Sequence, residues 1–391
     1  MLRKITYAGS QSASFVQATK DLKALAEVAV SRERVQRWTK RVGAERVREA
    51  EASAEQYQAL ALPAQRKSPT DQVPQVACVM MDGGRIQIRK REDSSEDQSR
   101  NSKGHWRESL VGCLLSMTSD EHAEDPCPTI PKTFVDPTRM ADLSREIKGF
   151  CARPETADDV PETSPDDRDS RPKVLVRSVV ATRAGQETFG KRLVAAAYER
   201  GFSAAKRKAF VADGGASNWT IHRKHFSHYT PILDFTHAIC YVYAAAMAGR
   251  TFAVGWPAYC QWAQWLWEGN TKALIAAVQA RSEQLGAPSD GDETSPAAIV
   301  ARTLGYIKNQ RSRMKYAEYR KLGLPITSSH IESTIKQINR RVKGTEKFWD
   351  QGAEPLLQLA ADHMSETNHL DHFWTRRRNS LQTIRSYQPA D

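Results

Sequence analysis

The chain has 391 residues, 40% of them hydrophobic, and carries a formal net charge of +11. That length suffices for about two or three domains with at least one large core, and the positive balance favours a polyanionic partner, either nucleic acid or an anionic membrane surface. No apolar run approaches the roughly 20 residues that a bilayer span requires, and the opening MLRKITYAGSQSASF lacks an apolar signal core, so the expectation is a cytoplasmic protein. None of the six cysteines falls in a C-x-x-C pair, which argues against a zinc ribbon or a redox centre and for buried free thiols.

The first fifty residues hold eleven Lys/Arg against five Asp/Glu. Apolar spacing predicts one helix from Ser14 to Ala26 and a second from a Ser31 cap through Val47, joined by a short EVAV connection. Two such helices with a basic second member suit a helix-turn-helix that places Arg34, Arg37, Lys40 and Arg41 toward DNA. The alternative is a helical hairpin packed on the main domain.

From Val76 the pattern changes to strands. VACVMMDGGRIQIRK predicts a strand, a turn at Asp82-Gly83-Gly84 and a second strand. Residues 92–104 predict a polar hairpin tip, and Arg107–Met117 a third strand. Residues 119–170, with fourteen Asp/Glu against six Lys/Arg and many prolines, predict a solvated and partly disordered insertion. Strands and helices then alternate: KVLVRSVVAT as strand, Thr188–Phe202 as helix, Lys206–Gly215 as strand, ASNWTIHRKHF as a short helix, and Tyr229–Phe235 as strand. This alternation predicts an α/β sheet with helices on its faces. From His237 to about Leu322 the pattern is nearly all helical, and a last helix starts near Ser329.

Four carboxylates stand out. Asp82, Asp213 and Asp234 each end an apolar strand, where a charged group faces a crevice beside the sheet and not the core. Glycines after Asp82 and Asp213 would let a polyanion approach the backbone. Glu332 falls in the first turn of the last helix, where it could be a metal ligand or, with Ser329 as N-cap, one half of a capping box. Carboxylate oxygens are the ligands magnesium prefers, and two such ions can activate an attacking oxygen and stabilise a leaving one in phosphoryl transfer.

The segments MMDGGRIQIR, LVGCLLSM, FVADGGASNWTIHRKHFSHYTPILDFTHA and SSHIESTIKQINRRVKGTEKFW resemble, in this order, the core of bacterial insertion-sequence transposases of the IS-Kra group, within the Mutator-like DDE transposases. The resemblance spans roughly residues 1–118 and 172–375. It implies an RNase H-like mixed sheet flanked by helices, with Asp82, Asp213 and Glu332 as catalytic residues binding two Mg²⁺ or Mn²⁺ ions. Asp234-Phe235-Thr236-His237 matches a D/C-x-x-H motif, which makes Asp234 and His237 partners of the triad.

The implied organisation is a helical DNA-binding region at 1–70, core segments at 71–118 and 172–237, the acidic insertion at 119–171, an all-helical insertion domain at 238–325, and at 326–391 the last core helix with a basic tail. The implied activity is cleavage of transposon ends and their transfer to target DNA by a homo-oligomer associated with the bacterial nucleoid, with no membrane partner. Arg340, Arg341 and Lys343, after Glu332, would contact DNA phosphates. Rival readings are a decayed or repurposed transposase that only binds DNA, and an RNase H-like nuclease.

Other motifs carry less. His222, His225 and His228 have zinc-like spacing only if one helix holds all three. Trp262, Trp265 and Trp267 could stack on a flipped base, although aromatic residues at helical spacing are ordinarily core.

Overall fold

The computed structural model describes residues 1–88, 106–148, 171–288, 291–343, 349 and 352–386. The hairpin tip expected at 92–104 and the second half of the acidic segment lie outside the described residues. The chain opens with α1 (Leu2–Gln11), α2 (Phe15–Ala26) and α3 (Arg32–Ala59). The Ser14 and Ser31 hydroxyls cap α2 and α3 by accepting the Gln17 and Arg34 N–H groups. Ile5, Ala8, Leu22, Val28 and Val35 enclose a small core of their own. The spacing predicted two helices here, and the second proves to be 28 residues long. Its second half is too polar to announce itself by periodicity. It is held instead by partners remote in sequence, with Arg46 giving Asp362 a buried two-point ion pair at 2.8 and 3.1 Å.

After the single turn α4 (Leu62–Gln65), the sheet is built from β1 (Val76–Gln87) and β2 (Trp106–Thr118). The chain continues through α5 (Pro137–Lys148), β3 (Lys173–Thr182), α6 (Gln186–Glu199), β4 (Arg207–Ala212), α7 (Ala216–His225) and β5 (Thr230–Leu233). The strand order is β3-β2-β1-β4-β5. The β1–β2 and β2–β3 pairs are antiparallel, whereas β4 runs parallel to both β1 and β5. The turn expected at Asp82-Gly83-Gly84 is absent: β1 runs through it, paired with β2 from Val76 to Gln87. Pairing along the whole of β2 satisfies the backbone there, so the glycines need not turn the chain.

Helices cover both faces. Successive strand residues point to opposite sides. At Gly112 a Cβ would lie 2.6 Å from Leu193 of α6, while the neighbouring Cys113 thiol lies 3.2 Å from Thr334 on the opposite face. Double coverage explains why Val76–Met81 is an unbroken buried run with no polar alternation.

The helical stretch comprises α8 (Phe235–Met247), α9 (Phe252–Glu268), α10 (Thr271–Leu285), α11 (Pro296–Gln310) and α12 (Tyr316–Lys321), as the pattern predicted. Its buried side chains are continuous with those of the sheet. The acidic segment departs from the expected solvated loop over residues 119–148. Ile130, Met140 and Ala141 are buried, the Trp267 indole donates to the Cys127 carbonyl at 2.7 Å, and Arg320 pairs with Asp125 at 2.9 Å. A few apolar anchors and one buried ion pair suffice to dock it, which average composition does not reveal. Three helices complete the chain: α13 (Ser329–Val342), α14 (Ala353–Met364) and α15 (His369–Ser386). The expected basic tail therefore contains a core helix, since Leu356, Leu357, Leu359 and Ala361 of α14 are fully buried. None of the described helices is long and apolar enough to cross a membrane.

Candidate carboxylate site

The register places three of the four carboxylates side by side. Met81 pairs with Ala212, and Ala212 with Leu233, so Asp82, Asp213 and Asp234 each follow one aligned row across β1, β4 and β5. Asp82 shares its face with Gly84, two residues on, where a Cβ would lie 3.9 Å from Ile335 of α13. That is the face covered by the helix carrying Glu332. On α13, Glu332 follows the buried Ile331 at the margin of the stripe turned to the sheet and is itself half-buried.

Glu332 is not a helix cap. The N-cap is Ser328, one residue earlier than expected, and it makes no side-chain cap bond. Glu332 thus falls one position past the place from which a capping box closes. Its Oε1 is buried with no hydrogen-bond partner among the described residues. Burial and the nearby Asp234 charge raise its carboxyl above the ordinary range, against the opposing pull of His237 and Lys336. Lys336 itself bonds to Glu146 of α5, so the docked acidic segment reaches the flank of the site.

Asp82 is the other uncompensated carboxylate. Burial first, then the charge of Asp213, pushes its carboxyl up to about 6, and the Gly83 N–H donated to Oδ1 at 2.7 Å only partly offsets this. Asp213 is better provided for, since its Oδ1 accepts the Gly215 N–H at 2.9 Å and the Asn218 amide at 2.6 Å. The glycine after it does not leave an open approach for a polyanion. A Cβ at Gly214 would fall 2.2 Å from the Tyr306 ring of α11, which occupies that space. Neither Asn218 nor Tyr306 was singled out in the sequence. Asn218 is legible as an amide near the start of a helix, whereas Tyr306 gives no sign.

Asp234 has a different role. It is fully buried and caps α8. Oδ1 accepts the N–H groups of Thr236 (3.3 Å) and Ser328 (2.9 Å). Oδ2 accepts the His237 N–H (3.1 Å) and lies 2.6 Å from His237 Nδ1. Four bonds use up its acceptor capacity. Burial disfavours the charged form of His237, but the bond and charge of Asp234, with Asp213 and Glu332 beyond, outweigh it and hold the imidazole above its ordinary value.

One ligand atom each of Asp234, His237 and Glu332 lies within 4.8 Å of the others, the single such group among the described residues. Asp82, Asp213 and Glu332 do not form a group that tight. Asp82, within β1, is set beside Asp213 at the end of β4, and Glu332 is placed beside Asp234 and His237. Asp234 is already engaged by four hydrogen bonds, whereas Asp82, Asp213 and Glu332 make fewer.

The basic residues divide. Arg34, Arg37 and Arg41 are exposed and Lys40 is half-buried, with Arg41 paired to Glu45 at 3.5 Å. Arg340 and Lys343 are exposed. Arg341 is not a surface contact: it is buried, donates to the Gly9 carbonyl at 3.0 and 3.3 Å, and lies 4.7 Å over the Phe15 ring. It pins the N-terminal helices to α13. The period of the helix turned it inward, which a run of basic letters does not show. The His222, His225 and His228 set forms no metal cluster, and His222 Nε2 lies 2.9 Å from the Tyr229 carbonyl. Trp262 and Trp267 are buried core residues. No family model and no curated protein matches the chain.

Proposed function

We propose that the chain is a DDE-type DNA transposase with an RNase H-like core, in which Asp82, Asp213 and Glu332 hold two Mg²⁺ or Mn²⁺ ions. The observation that carries this reading is that two carboxylates are left short of compensation: Asp82, its pKa raised by burial and Asp213, and Glu332, with a buried oxygen lacking any partner among the described residues. Leaving such groups unpaired costs roughly 1–3 kcal/mol each, and an all-oxygen set fits a hard divalent cation. The mixed sheet supports the core assignment, and the order of the aligned motifs supports the family.

When bound, the ions would activate the attacking oxygen and stabilise the leaving oxygen of a phosphodiester. Around them, Asn218 and the Gly215 N–H orient Asp213, and Asp234 fixes His237 and the start of α13. Exposed Arg34, Arg37, Arg41, Arg340 and Lys343, with half-buried Lys40, would meet DNA phosphates as a homo-oligomer assembles on transposon ends and target. Arg341 is left out of that set.

The test uses purified protein, Mg²⁺ or Mn²⁺, and DNA bearing the element's ends. Wild type should nick at the end and join the freed 3′-hydroxyl to a second duplex, whereas Asp213→Asn should do neither. Equal nicking by both proteins would refute the proposal. Nicking without joining would point to a nuclease.

A further inference from the structure

A cleft lies at the opposite end of the parallel strands from the carboxylates. It measures about 820 Å³ and opens between α3–α4, α6 and the segment from α7 to β5. Lys208, the second residue of β4, lines it, and Lys208 and Asp213 are five positions apart, about 16 Å along a strand. The two sites are therefore separate.

The lining is one-signed. Arg66, Lys191, Lys208, Lys224, His225 and His228 face the cleft, and no Asp or Glu lines it among the described residues. Lys191 is paired at 2.8 Å with Glu187 outside the lining. Among the described residues no carboxylate pairs with Arg66, Lys208 or Lys224. The Lys208 ammonium is held by the Ser203 carbonyl at 2.8 Å, so it is fixed in place without being neutralised. Burial first, then Lys208 and Arg66, depress the His228 imidazole, so these groups lie within reach of one another. The Glu187 charge also reaches Lys224 and His225 from outside the lining, but it is one carboxylate against several converging cations, and such an excess of positive charge forms an anion site.

The cleft also has an aromatic wall. The Tyr57 and Tyr198 rings stand 5.1 Å apart at a 48° tilt, both half-buried, and Tyr229 closes the inner side. Cations beside accessible rings match a phosphate joined to a base, because the rings offer π-faces for stacking and the cations meet the backbone charge.

We infer that this cleft binds a nucleoside phosphate, carried on a single nucleic-acid strand or free, through Arg66, Lys208 and Lys224 with Tyr57 and Tyr198 beside the base. The site needs no divalent metal, so its test is independent of the carboxylate chemistry. In EDTA, a fluorescent ten-nucleotide single strand, adenosine monophosphate and inorganic phosphate are titrated into wild type and into Arg66→Ala/Lys224→Ala. Both substitutions are at exposed positions, and a melting curve checks folding.

The expected result is saturable binding of the oligonucleotide or the mononucleotide, weakened at least tenfold in the double variant, with that probe shielding Lys208 from acetylation by acetic anhydride. The probe that binds identifies the source. If the oligonucleotide binds, the slope of log affinity against log salt should also fall by about 1.4 for two lost phosphate contacts on a single strand. Absence of saturable binding, equal affinity in the double variant, or inorganic phosphate binding as tightly as the nucleotide probes would overturn the inference.

Discussion

Asp234 accepts the backbone N–H of Ser328 at 2.9 Å, and this bond ties the end of β5 to the residue from which the Glu332 helix begins. The two residues are 94 positions apart. The orientation of Glu332 thus depends on a carboxylate already engaged by four hydrogen bonds. Asp234→Ala would leave the N–H groups of Thr236, His237 and Ser328 without their acceptor. The expected loss is about 2–4 kcal/mol in urea unfolding, with Asp234→Asn less damaging because it keeps an acceptor oxygen. A loss below about 0.5 kcal/mol would mean that the bond does not anchor α13.

Asp82 should impose a pH dependence on the metal-free protein. Its folded pKa, about 6, lies above an unfolded value near 4. Between those values the native state retains a proton that the unfolded chain has lost, so this group makes stability fall as pH rises from about 4 to about 6 and adds no further slope above. Asp82→Asn removes the effect. In EDTA at neutral pH the variant should be more stable than wild type by about 1–2 kcal/mol, since solvent contact trims the full shift of about 3 kcal/mol. The difference should vanish near pH 4. A variant less stable than wild type at neutral pH would contradict the burial of an uncompensated charge.

Divalent metal should reverse that order. Mn²⁺ at about a hundredfold excess over its Kd should stabilise wild type by about 2.7 kcal/mol, and removal by EDTA should restore the original melting point. Asp82→Asn and Asp213→Asn should show little of this shift, and Glu332→Gln a reduced one. The same thermal shift in all four proteins would place the ion elsewhere.

Arg341 and Arg37 separate support of the fold from contact with DNA. Arg341 is buried against Phe15 and Gly9, and burial pushes its guanidinium down to about 10. Arg341→Ala should destabilise the protein by about 2–3 kcal/mol through lost bonds and packing. Arg37→Ala, at an exposed site, should leave the melting curve unchanged while lowering the salt slope of duplex DNA binding by about 0.9. Paired unfolding and salt titrations read both.

Local chemistry made the strands, the α2 and α3 caps and the helical stretch after His237 legible in the sequence, because apolar period and capping residues act over a few positions. It also singled out Asp82, Asp213, Asp234 and Glu332 as carboxylates in unusual surroundings. Local pattern did not reveal that β1 runs through Gly83-Gly84, that α3 continues to Ala59, that α14 is a core helix or that residues 119–148 are docked. Each of these depends on a partner far away in the chain: β2 for β1, Asp362 for α3, and Trp267 and Arg320 for the acidic segment.

The division holds at the site as well. Sequence by itself determined which residues carry the negative charge and in what order they occur. Tertiary structure decided their roles: parallel register set Asp82 beside Asp213, four hydrogen bonds engaged Asp234, and a cap shifted to Ser328 left Glu332 with a buried oxygen that lacks a partner. The physical reason is that charge and propensity belong to single residues, whereas burial, desolvation and the spending of acceptors are properties of neighbours that only folding assembles.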